Sequence, residues 1–351
     1  MMKNGRECSV GTLVSFIGWN EAMSETYFIT GAQGCIGSWI VKALAERGDT
    51  PVVFDRSDDP RRLRAIMDEA DLAKVRFEIG DISDSKRVLD ALTNSGAQRV
   101  IHLAGLQVPV CKSDPIKGAL VNVVGALACF EAARIAGVKQ LVYASSAAVY
   151  GLEEDSGPLD ETAACEPSTH YGVFKRTNEG NARVYFLDYG LSSIGLRPLT
   201  VYGVNRDSGL TSDPTKAMKA AVLGQAFHIR FGGSTDFQYV ADTAAAFIAS
   251  ADSDVPGAHI FNLHGETIAV ERISSFINQE SGRELVTFGG SPLPIAPALS
   301  DATIRRVIGE IPATPFETGV CETMQRFRVL RASGRLDTSD IAPDVTQGVV
   351  A

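Results

Sequence analysis

The stretch Thr30-Gly31-Ala32-Gln33-Gly34-Cys35-Ile36-Gly37 constrains this chain more than any other. It follows an apolar run, Tyr27-Phe28-Ile29, and opens a helical pattern from Ile36 to about Arg47. In a strand–turn–helix unit of this kind each glycine has its own task. Gly31 lets the chain leave the strand tightly, Gly34 leaves the backbone open to a pyrophosphate, and Gly37 lets the helix pack close to the sheet. The helix N-terminus adds free N–H groups and the positive end of a dipole. Gln33, Cys35 and Ile36, which complete the turn, join the expected cofactor-binding set. The next apolar run, Pro51-Val52-Val53-Phe54, ends in Asp55, where an adenosine ribose would be hydrogen-bonded. A structural turn with no ligand is the competing reading. The flanking strand, the helix and Asp55 together favour the ligand.

Strand and helix patterns alternate along the chain, which implies a doubly wound, mostly parallel α/β sheet of Rossmann type. The alternation loosens after Gly203. The expected division is a cofactor-binding domain at 25–203, to which segments near 237–263 return. A smaller substrate-binding lobe would be formed by 204–236 and 264–333. Residues 1–24 read as a mobile extension, with Met23 a candidate natural start, and 334–351 as a polar tail. The formal net charge of −9 argues against a nucleic-acid partner and against an anionic membrane surface. No apolar run reads as long enough to span a bilayer. Six cysteines without C-x-x-C spacing read as reduced thiols of a cytoplasmic protein, with no metal site.

Further candidate residues follow in order. Asp81 and Ile82 end the third strand pattern, where an adenine ring could be held; Asp81 could equally cap the helix that follows. Leu103-Ala104-Gly105 end the fourth strand in small residues, as passage beneath a dinucleotide requires. His102, inside that strand, reads as structural. Asn122 is the polar member of a long apolar helix, Ala119 to Ala136, and must find partners if buried: it could bridge a carbonyl and a water near the active site, as one of the cofactor-binding set, or only pin the helix. Ser145 and Ser146 stand at the carboxyl end of the fifth strand, where α/β sheets bind ligands. Tyr171 and Lys175, four residues apart, share a helix face. An ammonium beside a phenol favours the phenolate, which can exchange a proton with a substrate hydroxyl.

With the glycine turn, Ser146, Tyr171 and Lys175 in this order, the chain resembles the extended short-chain dehydrogenase/reductase family, the epimerase/dehydratase superfamily of sugar-nucleotide enzymes, over about residues 25–332. His102-Leu103-Ala104-Gly105, Asn122-Val123-Val124-Gly125 and Arg197-Pro198-x-x-Val201-Tyr202-Gly203 fit the same pattern. The resemblance implies an NAD(P)-dependent enzyme. Tyr171 would be the acid/base, Lys175 would lower its pKa and bind the nicotinamide ribose, Ser146 would bond the reacting oxygen, and Pro198 would lie by the nicotinamide. Asp55 favours NAD over NADP, while the adjacent Arg56 keeps NADP open. Relatives pair the helices matching Ala119–Ala136 and Tyr171–Tyr189, so a homodimer is expected.

The chain departs from this family where nucleotide sugars are held. Thr200 stands where Asn is usual, Thr235 where Arg is usual, and Ser291-Pro292-Leu293-Pro294 where a further Arg is common. Arginine is the residue suited to bidentate phosphate recognition, so these losses argue against a substrate diphosphate. Arg206, Lys216 or Arg230 could replace them. The leading expectation is an oxidoreductase acting on a secondary hydroxyl of a sugar, sugar acid or small polyol. The alternative is an NDP-sugar epimerase or dehydratase that retains NAD, and the third reading is a non-catalytic NAD-sensing regulator. Gln107, Ser146, Ala147, Thr200, Thr211, Ser212 and Gln238 are the candidate substrate residues.

Overall fold

The computed structural model describes residues 24–151 and 157–341. All but Ser24 of the expected extension, and residues 342–351 of the tail, therefore lie outside the described residues. Among the described residues, twelve strands are interspersed with helices. They are β1 (Thr26–Thr30), β2 (Thr50–Asp55), β3 (Arg76–Ile79), β4 (Arg99–His102), β5 (Gln140–Ala144), β6 (Ser193–Arg197), β7 (Thr200–Tyr202), β8 (Phe227–Ile229), β9 (Ser234–Tyr239), β10 (Ala258–Asn262), β11 (Glu266–Ala269) and β12 (Val286–Phe288). Seven of them form one parallel sheet in the order β10-β6-β5-β4-β1-β2-β3. Its central strands are nearly continuous apolar runs because helices cover both faces. The order reverses between β1 and β4, so a crevice opens above their carboxyl ends.

The loosened pattern after Gly203 has a physical basis. β7, β9 and β11 make a separate three-stranded sheet, and β8 pairs with β12 in a two-stranded one. β7 and β11 are three and four residues long and carry no readable period. The helix Val240–Asp252 and strand β10 return to the main sheet, with the helix packed on Cys35–Arg47. The first part of the tail is docked: Lys219 donates to the Asp337 carbonyl at 3.0 Å and to the Asp340 carboxylate at 2.7 Å.

One expectation needs correction. The helical run Pro115–Ala136, 22 residues with a mean hydropathy of 1.6, is long and apolar enough to cross a membrane by length and composition. Its inner face instead packs on the helices Ser85–Ser95 and His170–Tyr189, which explains its apolar character. It contains a wider turn at Leu120–Val124, around Asn122.

Candidate active site

The turn after β1 sits directly on the end of β4. Gly31 has φ +66°, and a methyl built on it would lie 2.6 Å from the Ala104 nitrogen. A methyl on Gly37 would lie 2.6 Å from the Gly31 carbonyl oxygen and 2.7 Å from the Ala32 Cα. These close approaches fold the turn onto itself and leave the Gly34 side open. Asp55 is held in place by the backbone N–H groups of Gln33 (3.0 Å) and Arg56 (2.8 Å). Below the turn, His102 shares a 2.7 Å hydrogen bond with the Thr30 hydroxyl. Burial pulls its pKa down to about 3, and the charge of Lys175 adds to this, so it is a neutral structural residue. Asp81 accepts from the Ser83 N–H at 2.9 Å and the Ser83 hydroxyl at 2.7 Å, while Asp84 caps the helix beginning at Ser85.

A cavity of about 540 Å³ runs along the carboxyl edge of the sheet. Gly31, Gln33, Gly34, Cys35, Ile36, Gly37, Asp55, Arg56, Asp81, Ile82, Leu103, Ala104, Gly105, Pro198, Ser146, Tyr171 and Lys175 all line it, as do Gln107, Ala147 and Thr211. The cradle fits a dinucleotide: a methyl on Gly34 would meet only one atom, the Gly31 oxygen at 3.0 Å, leaving this wall open to a ligand. Asn122 stands behind the wall. Its amide accepts from the Leu106 N–H at 2.6 Å and donates to the Leu106 carbonyl at 2.8 Å, pinning the loop after β4.

Tyr171 is brought to Ser146 by close packing. Thr169 caps the helix His170–Tyr189 by accepting from the Gly172 N–H at 3.1 Å. A side chain at Gly172 would run into the Ala148 carbonyl oxygen, so only glycine lets the helix start touch the turn that carries Ser146. Burial raises the Tyr171 pKa, and the Ser146 hydrogen bond and the Arg206 charge oppose that rise. Lys175 donates to the Ala144 carbonyl at 2.6 Å and stands 5.6 Å from the centre of the Tyr171 ring. Burial lowers its pKa to about 8, close enough to neutrality for the ammonium to respond to a neighbour.

Sequence reasoning missed the frame behind these residues. Glu179, fully buried, accepts from Arg197 at 2.7 and 2.8 Å and from the Ser145 hydroxyl at 2.6 Å. Arg197 also donates to the Tyr150 hydroxyl at 2.6 Å. This network ties the ends of β5 and β6 to one helix, fixing Ser146, Pro198 and Tyr171 relative to each other. Glu179 follows Tyr171 and Lys175 at the same four-residue spacing, a signal available in the sequence.

Three expected substrate residues lie outside the cavity. Thr200 and Thr235 share a 2.6 Å hydroxyl–hydroxyl hydrogen bond and are both buried. Gln238 donates to the Leu263 carbonyl at 2.7 Å and accepts from the Leu199 N–H at 3.3 Å. The Ser212 hydroxyl donates to the Gly209 carbonyl at 2.9 Å. Of the replacement cations, Arg230 is engaged by Asp213 at 2.8 and 2.9 Å. Arg206 alone of the three lines the cavity, beside Leu210, Thr211 and Ile295.

Residues 27–263 match the profile of the NAD dependent epimerase/dehydratase family. The UDP-glucose 4-epimerase of Corynebacterium glutamicum is 28% identical over 286 residues, covering 77% of this chain and 82% of that protein. The UDP-glucose 4-epimerase of Rhizobium leguminosarum is 30% identical over 280 residues, covering 74% and 83%. The crystal structure of Thermus thermophilus UDP-glucose 4-epimerase in complex with NAD superposes with a TM-score of 0.75 at 26% identity, over 86% of this chain and 99% of that one. The stretch that matches the family profile, residues 27–263, contains the glycine cradle, Asp55, Ser146, Tyr171 and Lys175. The chain belongs to the NAD-dependent epimerase/dehydratase family of extended short-chain dehydrogenases/reductases, and its cofactor is NAD.

Proposed function

We propose that this enzyme oxidises a secondary hydroxyl of a sugar at Tyr171 and returns the hydride to the same sugar, as a sugar epimerase. The observation that carries the oxidation step is the Ser146–Tyr171–Lys175 group in the wall of the cavity, beside Pro198 and the glycine cradle. Bound NAD supplies a two-electron acceptor for the hydride that leaves the carbinol carbon. Gly34 to Gly37 would hold the pyrophosphate, Asp55 the adenosine ribose and Lys175 the nicotinamide ribose. Tyr171 Oη takes the proton of the substrate hydroxyl as its C–H bond breaks and the carbonyl forms. The Ser146 hydroxyl donates to that same oxygen, and Lys175 steadies the phenolate. Reversal at the opposite face of the ketone, with Tyr171 giving the proton back, inverts the carbon and leaves NAD unchanged. The relatives named above support this second half, being UDP-glucose 4-epimerases.

A second reading is favoured by one specific feature. The Thr200–Thr235 pair closes off the positions where epimerases of this family usually place diphosphate-binding side chains. Without that tether a ketone is free to leave, and the reaction becomes a net oxidation. The test is incubation with NAD and, in turn, UDP-glucose, UDP-galactose, free sugars and sugar acids. Interconversion of epimers without accumulating NADH supports the epimerase. Stoichiometric NADH with a non-nucleotide sugar replaces it with the dehydrogenase. No reaction with any of these compounds overturns both.

A further inference from the structure

Arg206 lines the cavity with no carboxylate partner among the described residues, as do Arg56 and Lys175, and of these three it alone keeps a buried N–H without an acceptor. The loop Gly203 to Thr211 crosses from the substrate side to the glycine turn and is fastened on both sides. Trp39 donates to the Val204 carbonyl at 3.1 Å, and Asn205 donates to the Ser38 hydroxyl at 2.9 Å and the Arg62 carbonyl at 3.0 Å. The neighbouring Asp207 is engaged by Arg62 through bonds of 2.6 and 2.8 Å, so it does not neutralise Arg206. Among the described residues no carboxylate pairs with Arg206. Its Nη2 donates to the Thr211 hydroxyl at 2.8 Å, while its Nε is buried without a partner. A methyl on Gly209 would lie 3.3 Å from that Nη2 and would also collide with the Gln107 amide oxygen. Arg206, Gln107 and Thr211 therefore gather at one place in the cavity wall that also carries Tyr171 and Ser146.

A guanidinium with a buried, unused N–H is a forked donor awaiting an oxyanion. Two oxyanions could enter this cavity, that of the cofactor and that of the substrate. The cofactor's pyrophosphate already has the glycine turn and the N-terminus of the helix Cys35–Arg47. The effect of the Arg206 charge on the Tyr171 phenol places it within electrostatic reach of the reacting hydroxyl. The usual diphosphate positions at Thr200 and Thr235 are buried in a hydroxyl pair, away from this wall.

We propose that Arg206, with Thr211 and Gln107, binds a carboxylate carried by the sugar itself, so that the substrate class is an acidic sugar such as a uronate or aldonate. This rests on the reading of the cavity as a sugar-oxidising site and names its substrate class. The Nε and one Nη of Arg206 would face the two carboxylate oxygens, and the Gln107 amide would bond a ring hydroxyl.

The test is calorimetric titration of the NAD complex with D-glucuronate, D-glucose and UDP-glucose, for the wild type, Arg206→Met and Arg206→Lys. Turnover is followed in parallel. Glucuronate should bind the wild type better than glucose, and Arg206→Met should weaken glucuronate by about 10- to 100-fold. Arg206→Lys keeps the charge without the fork and should fall between the two. NAD affinity should be unchanged in both variants. An equal loss of NAD affinity would assign Arg206 to the cofactor and overturn the proposal. So would UDP-glucose binding that depends on Arg206 while glucuronate binding does not. Glucuronate that binds through Arg206 but is not oxidised would support the carboxylate site while removing the reaction assignment. Oxidation of neutral sugars alone, with glucuronate excluded, would do the reverse.

Discussion

Replacing Gly34 or Gly37 by alanine should separate cofactor binding from folding. Gly34 caps the helix Cys35–Arg47 with φ −74° and ψ 179°, an extended conformation that alanine adopts freely. A methyl there would touch only the Gly31 oxygen, at 3.0 Å, and would otherwise stand in the cavity. At Gly37 the methyl would press on three backbone atoms at 2.6, 2.7 and 2.8 Å, all within the turn itself. Overpacking of a rigid surround costs about 1–3 kcal/mol. For Gly37→Ala that falls on the fold, lowering unfolding free energy by about 1–3 kcal/mol in the absence of NAD. For Gly34→Ala the same steric term falls on the complex. NAD affinity should drop by about 5- to 150-fold while unfolding free energy changes by less than about 1 kcal/mol. Urea unfolding and calorimetric titration with NAD measure the two quantities separately. Gly34→Ala protein that binds NAD as the wild type does, or that is destabilised as much as Gly37→Ala, would refute the cradle described for this turn.

Three other outcomes are expected. Asp55→Ala should weaken NAD far more than NADP in a binding titration, and equal loss for both would show that Asp55 does not read the ribose. His102 is neutral in the folded chain down to about pH 3, whereas its ordinary value is 6.5. The unfolded chain therefore binds the extra proton first as pH falls, so stability is untouched above pH 6.5 and declines below it by up to about 1.4 kcal/mol per pH unit from this group. The difference in urea stability between wild type and His102→Gln should accordingly narrow between pH 6.5 and pH 4; a constant difference would contradict the assignment. Ile116, Leu120 and Val124 on one helix and Val173, Val184 and Leu187 on its neighbour are exposed, so sedimentation should give a dimer mass, and a monomer at every concentration would rule the pairing out.

What the sequence revealed and what it hid divide along the range of the interactions. The glycine turn, Asp55, and the pair Tyr171 and Lys175 depend on local spacing, and all of them line one cavity. Glu179, Arg197 and Tyr150 lock that site through hydrogen bonds spanning 18 and 47 residues, which no short motif records. Gln238 and Thr200 had the right polarity for substrate residues, yet their hydrogen-bonding groups are taken up by Leu199, Leu263 and Thr235 beneath the cavity. Polarity alone did not distinguish a ligand contact from a buried structural one. Asn122 carried both possibilities in the sequence, and the wide turn around it directs its amide to Leu106. The short strands β7 and β11 were hidden because pairing with β9, rather than their own pattern, makes them strands.

The proposed function stands on Tyr171 exchanging the proton of a sugar hydroxyl whose hydride passes to the nicotinamide when NAD is bound. The most direct measurement mixes enzyme and NAD in equal amounts with acidic sugars, neutral sugars and UDP-sugars, and follows both nicotinamide absorbance and the sugar's stereochemistry. The same is done for Tyr171→Phe, whose NAD affinity is checked first. Substrate-dependent reduction of the nicotinamide, transient or lasting, is expected in the wild type. For Tyr171→Phe that rate should fall by about 10²- to 10⁴-fold, with NAD affinity nearly intact. Full activity in Tyr171→Phe, or an NAD complex of the wild type that reduces no nicotinamide and alters no sugar in the panel, would contradict it.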